Sequence, residues 1–128
     1  MSSILLDTHT FIWLSEDSPN LPTSLRTTIE NTDQVLVSIV SFWEISIKLN
    51  IGKISLKDDF NSIETRFQAT RFILLPISIT DTIQLSQLPT HHKDPFDRIL
   101  IAQAINRTLP IASRDVAFDV YNVQRLWA

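Results

Sequence analysis

Residue types that define several classes of functional site are missing or rare in this chain. The 128 residues contain no cysteine, which excludes disulfide scaffolds, thiolate zinc sites and cysteine nucleophiles. The single glycine, Gly52, excludes the glycine-rich loops with which P-loop and dinucleotide-binding proteins hold phosphate. No apolar run approaches the roughly 20 residues of a membrane span, and Asp7 interrupts the first apolar run, which is unlike a secretory signal. We therefore expect a cytoplasmic protein without a membrane partner.

The composition is that of an ordinary globular domain. Hydrophobic residues make up 44% of the chain and charged residues 20%, both typical of folded domains. The length fits a single domain over residues 1–128. The formal net charge of −3 argues mildly against nucleic-acid binding, because such proteins usually have a basic excess.

Hydrophobic patterning predicts an α/β domain. Apolar runs predict short strands at 4–6, 35–40, 72–75, 110–112 and 123–127. Apolar residues at spacing three or four, together with helix-start signals, predict helices at 22–32, 42–50, 58–70, 80–88 and 94–107. Short strands that alternate with helices indicate a mainly parallel central sheet.

The segment 43–51 is ambiguous, because its apolar and polar residues alternate strictly, as they do in a strand. Joined to the preceding apolar run, however, it would form a strand of about 17 residues, longer than the usual 3–10. Ser41 and Glu44 also match the capping box of a helix start. We therefore predict a helix over 42–50, with Glu44 and Lys48 on one face.

Acidic residues follow the predicted strands. Asp7 and Asp115 come just after two of them, Glu44 lies shortly after a third, and Asp97 opens the helix that starts at Asp94 and Pro95. Each of these acids alone could simply cap a helix. Because parallel sheets bind ligands at the carboxyl ends of their strands, however, we expect the acids to converge. Converging carboxylates repel one another unless a cation such as Mg²⁺ or Mn²⁺ neutralises them, as in two-metal phosphodiester hydrolysis.

Four sequence segments resemble one known family. LLDTHTFIWL, VSIVSFWEISIKLNIGKI, HHKDPFDRILIAQA and LPIASRD are similar to segments of the PIN-domain ribonucleases, and more narrowly of the VapC-type toxins of bacterial toxin–antitoxin pairs. The resemblance extends from about residue 4 to residue 127. It implies a three-layer α/β/α fold, a homodimer and a cognate antitoxin. It also implies RNA cleavage with Mg²⁺ or Mn²⁺ held by Asp7, Glu44, Asp97 and Asp115.

Three further residues are candidates for supporting roles. Ser113 stands where the family commonly has Thr and keeps the hydroxyl, so we expect it to orient the site. Thr8 is expected either to bond a neighbouring carboxylate or to cap its helix, and Arg98 to contact phosphate or to pair with a carboxylate. For the three histidines we expect structural or solvated roles, with His9 facing away from the site.

Two other functions remain open from the sequence. One is a PIN-like domain that only binds or acts as a scaffold, although such a domain usually loses one or more of the acids. The other is a phosphoaspartate protein. This fits poorly, because a dehalogenase-type phosphatase needs an aspartate where His9 stands and a receiver domain needs a lysine near Arg114.

Overall fold

A parallel sheet forms the centre of the computed structural model, which describes residues 2–128. The strands within that range are β1 (Ser3–Leu6), β2 (Gln34–Ser38), β3 (Ile73–Leu75), β4 (Ile111–Ala112) and β5 (Arg125–Leu126). They lie in the order β3-β2-β1-β4-β5, and every neighbouring pair is parallel. Ile4, Leu5 and Leu6 of the central strand are all buried, as expected for a sheet covered on both faces. The predicted α/β class with a parallel sheet is confirmed.

Helices cover both faces of the sheet. They are α1 (Thr8–Ser15), α2 (Thr23–Glu30), α3 (Ile39–Asn50), α4 (Ile63–Gln68), α5 (Ile79–Ser86) and α6 (Pro95–Arg107), with short 3₁₀ turns at Phe60–Ser62 and Val116–Val120. Successive strand residues point to opposite faces. Ile4 and Leu6 therefore belong to one apolar core with residues of α1 and α2, whereas Leu5 belongs to a second core with residues of α6. The result is three layers, α/β/α.

The strand order determines where a ligand can bind. After β1 the chain adds β2 and β3 on one side of that strand, and it later returns to add β4 and β5 on the other side. The order therefore reverses at β1, and the crevice outside the carboxyl ends of the strands at this point is the usual ligand site of such sheets. None of the helices in residues 2–128 has the length and apolar character that a membrane crossing requires.

The start of α3 differs from the prediction. The strand predicted at 35–40 ends at Ser38, and the helix predicted to begin at 42 begins at Ile39. Ser38 is the N-cap, since its hydroxyl accepts a hydrogen bond from the Val40 amide at 3.1 Å. The proposed capping box of Ser41 and Glu44 is therefore wrong, and both side chains are buried inside the helix.

The other element predictions differ in extent. The helix predicted over 58–70 is the 3₁₀ turn Phe60–Ser62 followed by α4, and the Asp59 carboxylate caps the turn by accepting from the Asn61 amide at 3.0 Å. The last predicted strand, 123–127, is only the two-residue β5. The start of α6 is as predicted, with Asp94 as N-cap and Pro95 in the first turn.

Candidate metal centre

Asp7 lies directly after β1, at the point where the strand order reverses. Its carboxylate accepts a hydrogen bond from the Thr10 amide at 2.9 Å and caps α1, so the predicted capping role is real. The side chain is nevertheless buried, and burial raises the pKa of the Asp7 carboxyl above its ordinary value. Hydrogen bonds from Thr10 and Ser113 lower the pKa but do not outweigh burial. The charged carboxylate therefore lacks full compensation.

Glu44 reaches the same edge from the second turn of α3. Its Oε1 accepts from the Thr8 hydroxyl at 2.6 Å, and its Oε2 accepts from Lys48 Nζ at 2.5 Å. The predicted shared face of Glu44 and Lys48 is confirmed. Partial burial lowers the pKa of Lys48, but the bond to Glu44 and the charges of Glu44, Asp94 and Asp97 raise it more, so the net shift is upward. Lys48 is therefore a cation beside the acids, and the sequence analysis assigned it no such role.

Asp97 lies in the first turn of α6, which begins at this edge because Asp94 and Pro95 define its start. The Asp94 carboxylate accepts from the amides of Phe96 at 2.8 Å and of Asp97 at 3.2 Å. Burial, followed by the negative charges of Asp94 and Glu44, raises the pKa of Asp97 to about 7, against the lowering effect of a hydrogen bond with His92. The negative charge of the Asp97 carboxylate is therefore only partly compensated by its surroundings.

Asp115 follows β4 and is the most open of the four acids. Its carboxylate accepts from the Ala117 amide at 2.9 Å and caps the 3₁₀ turn Val116–Val120. Its own amide donates to the Ser113 hydroxyl oxygen at 3.0 Å. Because the buried Ser113 hydroxyl also bonds Asp7, it joins the acid after β1 to the acid after β4.

The candidate residues are linked by a series of contacts along one edge of the sheet. Asp7 is joined through Ser113 to Asp115, and Asp115 lies 3.8 Å from His92 Nε2. His92 Nε2 lies 2.8 Å from Asp97 Oδ2, and the negative charge of Glu44 contributes to the raised pKa of Asp97. Glu44 is bonded to Thr8, the residue that follows Asp7. In the described part of the chain, Asp97 and Asp115 form a group with His92 whose ligand atoms lie within 4.8 Å of one another, whereas Asp7 and Glu44 lie at the same edge but outside that group.

This donor set fits a hard divalent cation. Carboxylate oxygens are established ligands of Mg²⁺ and Mn²⁺, and the contacting atoms of His92, Asp97 and Asp115 all lie within 4.8 Å of one another. Burial is the largest cause that raises the pKa values of the Asp7 and Asp97 carboxyls, so their charged forms are disfavoured in the protein alone. A bound divalent cation would favour those charged forms.

An open groove of about 440 Å³ borders this centre. Its lining residues are Asp7, His9, Trp13, Arg114, Asp115 and Val116. The prediction that His9 faces away from the site is therefore wrong. Because α1 begins immediately after Asp7, the side chain of its second residue remains at the rim of the groove.

Arg98 and His92 differ most from expectation. The Arg98 guanidinium donates to the carbonyl oxygens of Pro89 at 2.9 Å and His92 at 3.3 Å, so it holds the loop before α6 and does not pair with a carboxylate. His92, predicted to be structural or solvated, contacts two of the acids. Its position outside the helix, five residues before Asp97, is the only sequence feature that places it near the start of α6.

A three-layer α/β/α domain with a carboxylate-rich centre at the reversal of strand order defines a class of candidate metal-dependent proteins. The chain belongs to the PIN domain family, whose model matches residues 4–123. The family resemblance found in the sequence is thereby confirmed. No curated protein matches the chain in sequence.

Several solved structures share the fold. The chain is similar to VapBC2 from Rickettsia felis, solved bound to a DNA fragment from their promoter, with a TM-score of 0.73, 15% identity and coverage of 98% of this chain and 99% of that chain. It is also similar to DNA-bound VapBC from Salmonella typhimurium, with a TM-score of 0.72, 18% identity and coverage of 98% of each chain. FitAcB from Neisseria gonorrhoeae gives a TM-score of 0.65, 18% identity and coverage of 96% of each chain.

Proposed function

We propose that this protein is a metal-dependent endoribonuclease and the toxin of a bacterial toxin–antitoxin pair. The main support is the series of contacts that places Asp7, Glu44, Asp97 and Asp115 along one edge of a PIN-family sheet. Burial raises the pKa values of Asp7 and Asp97, and a bound cation would favour their charged forms. An isolated set of helix caps would not require this convergence.

The four carboxylates would hold Mg²⁺ or Mn²⁺. When bound, a divalent cation supplies positive charge that activates water and stabilises charge developing on phosphate. Thr8 holds the Glu44 carboxylate by its hydrogen bond, and Ser113 holds Asp7 and Asp115 in register.

RNA would lie in the groove beside Asp7 and Asp115. The groove combines the acids with the exposed Arg114 guanidinium, which suits a phosphate, and with the Trp13 ring, which suits a base. The Arg98 guanidinium already donates hydrogen bonds to carbonyl oxygens, and it therefore holds the loop that carries His92. Arg114 is the better candidate for a contact to phosphate.

The antitoxin would bind a second, mostly apolar groove. This groove has a volume of about 340 Å³ and lies between α1 and α4. Its lining includes Phe11, Leu14, Ile63, Phe67 and Phe72, with Arg66 among them. Apolar side chains from an antitoxin helix could fill such a groove, and Arg66 could pair with an acid on that helix. Among the similar structures are two VapBC structures, FitAcB and a toxin–antitoxin complex from Klebsiella pneumoniae.

A homodimer would cover an apolar stripe on α3. Residues at spacing four along this helix and just beyond it are exposed, namely Ile39, Trp43, Ile47 and Ile51. Such a stripe is typical of a helix face that packs against another subunit. It lies beside the face of α3 that presents Glu44 to the candidate centre.

The experiment that tests the activity is cleavage of total cellular RNA by the purified protein in Mg²⁺, Mn²⁺ or EDTA. We expect discrete, metal-dependent products that disappear in Asp97→Asn. Asp17→Asn is the matched control, because Asp17 is exposed on a loop and its backbone φ of 53° is one that asparagine accepts readily.

Three outcomes would count against the proposal. Products that persist in EDTA and in Asp97→Asn would indicate a contaminating nuclease. A folded wild-type protein that neither cleaves RNA nor binds Mn²⁺ would favour a PIN-like binding module. Equal loss of cleavage in Asp17→Asn and Asp97→Asn would show that the loss is not specific to the centre.

A further inference from the structure

We propose that His92 is a nitrogen ligand of the metal centre and that it biases the centre towards Mn²⁺ over Mg²⁺. The inference rests on the proposed function, because it concerns the same metal centre. It adds a ligand that is not a carboxylate and a consequence for metal selectivity.

The separations of the three side chains suit a common ion. His92 Nε2 lies 2.8 Å from Asp97 Oδ2 and 3.8 Å from Asp115 Oδ2, and all three ligand atoms lie within 4.8 Å of one another. In an octahedral site with bonds of about 2.1 Å, neighbouring ligand atoms are about 3.0 Å apart and opposite ones about 4.2 Å apart. The two distances from His92 are close to or between these values, so small side-chain movements would bring the three atoms around one ion.

The imidazole is held in place by its surroundings. The His92 amide donates to Tyr121 Oη at 2.8 Å, and that hydroxyl in turn donates to the Pro89 carbonyl at 3.0 Å. Arg98 donates to the His92 carbonyl, and the His92 ring lies 6.2 Å from the ring of the buried Phe118. The His92 side chain is only 19% exposed. These contacts orient a ligand in advance, as supporting residues do in metal sites.

The adjacent histidine has a different environment. The His91 side chain is exposed, and its ring packs against Tyr121 at a centroid distance of 5.7 Å. It is not among the residues whose ligand atoms cluster with Asp97 and Asp115 in the described part of the chain. His91 therefore provides a control for His92 that differs by one position.

The nitrogen donor determines the predicted selectivity. Carboxylates and water suit both Mg²⁺ and Mn²⁺, whereas imidazole suits transition metals better than Mg²⁺. Removing His92 should therefore weaken Mn²⁺ binding more than Mg²⁺ binding. A role in merely orienting Asp97 and Asp115 would instead weaken the binding of both ions in parallel.

The test is electron spin-echo spectroscopy of the Mn²⁺-loaded protein, together with calorimetric titration of Mn²⁺ and of Mg²⁺. We expect nitrogen modulation from a histidine in the wild type, in His91→Ala and in His9→Ala, and its loss in His92→Ala. We expect Mn²⁺ affinity to fall about tenfold or more in His92→Ala, with a clearly smaller change for Mg²⁺.

The outcomes separate this inference from the proposed function. If the wild type binds Mn²⁺ without nitrogen modulation, the metal centre is supported and the role of His92 is refuted. This measurement needs no variant. Loss of the nitrogen modulation in His9→Ala instead of His92→Ala would also refute the role of His92. So would an equal fall in the affinities for Mn²⁺ and for Mg²⁺ in His92→Ala. A wild type that binds no Mn²⁺ would overturn both the centre and the inference.

Discussion

Replacing Asp97 with asparagine should stabilise the metal-free protein while it abolishes metal-dependent activity. The pKa of Asp97 rises from 3.8 to about 7 in the folded protein. A carboxyl with a raised folded-state pKa destabilises the fold once it is charged, so this penalty is absent below about pH 4 and complete above about pH 7. Three pKa units correspond to about 4 kcal/mol, and partial solvation of the 19% exposed side chain reduces this to about 2–4 kcal/mol.

The assay is thermal unfolding in EDTA at pH 8 and at pH 5. For a chain of this length we expect the Asp97→Asn variant to melt roughly 7–15 °C above the wild type at pH 8. The difference in melting temperature should shrink at pH 5, because the wild-type Asp97 carboxyl then takes up a proton and becomes neutral, as asparagine is. Asp17→Asn should show no such pH-dependent gain. An Asp97→Asn protein no more stable than the wild type at pH 8 would refute the reasoning that this carboxylate lacks compensation.

Three further predictions concern stability, the centre and assembly. Asp81 is fully buried and pairs with Arg107 at 2.7 Å, so Asp81→Asn should lower the free energy of unfolding at pH 7 by about 3 kcal/mol, measured by urea denaturation. Because Arg107 holds the pKa of Asp81 well below its usual range against the opposing effect of burial, the difference should narrow as the pH falls below about 4. Thr8→Val keeps the side-chain shape but removes the bond to Glu44, and it should reduce RNA cleavage about tenfold or more. Because it leaves a buried carboxylate oxygen without its donor, it should also lower the melting temperature by a few degrees. Trp43→Glu should convert a dimer to a monomer in light scattering; a monomeric wild type would contradict that prediction.

Local signals in the sequence predict where the four candidate acids lie in the fold. Asp7 directly follows β1, Asp115 comes three residues after the end of β4, and Asp97 lies just after the helix start formed by Asp94 and Pro95. The parallel sheet then brings these positions to one edge without further information. Glu44 is predicted because it lies shortly after the apolar strand at 35–40, and the family resemblance implies it as well; in the fold it is buried against Thr8.

The start of α3 could not be predicted from local pattern. Ser38 and Ser41 are both plausible N-caps, and the β-branched Ile39 and Val40 extend the strand pattern into the helix. The two possible helix starts differ in which serine hydroxyl accepts a hydrogen bond from a free backbone amide. This depends on the residue at which the strand leaves the sheet. Tertiary contacts therefore decided between two locally acceptable starts.

His92 was missed for a related reason. Its position depends on a hydrogen bond to Tyr121, 29 residues further along the chain, and on the Arg98 side chain. Hydrophobic periodicity describes helices and strands but gives no information about contacts made by a loop. The histidine pair in the sequence therefore could not be resolved into one residue at the centre and one at the surface.

The sheet order also has a consequence for synthesis of the chain. Asp7 is made well before Ser113 and Asp115, which complete its surroundings and lie more than a hundred positions later in the sequence. The Thr10 hydroxyl bonds the Ala112 carbonyl across 102 residues, so β4 must dock beside β1 before this edge is formed. A nascent chain on the ribosome therefore has an incomplete centre until residues 111–115 have emerged, and the proposed nuclease could not act before that point on the RNA of the ribosome that makes it.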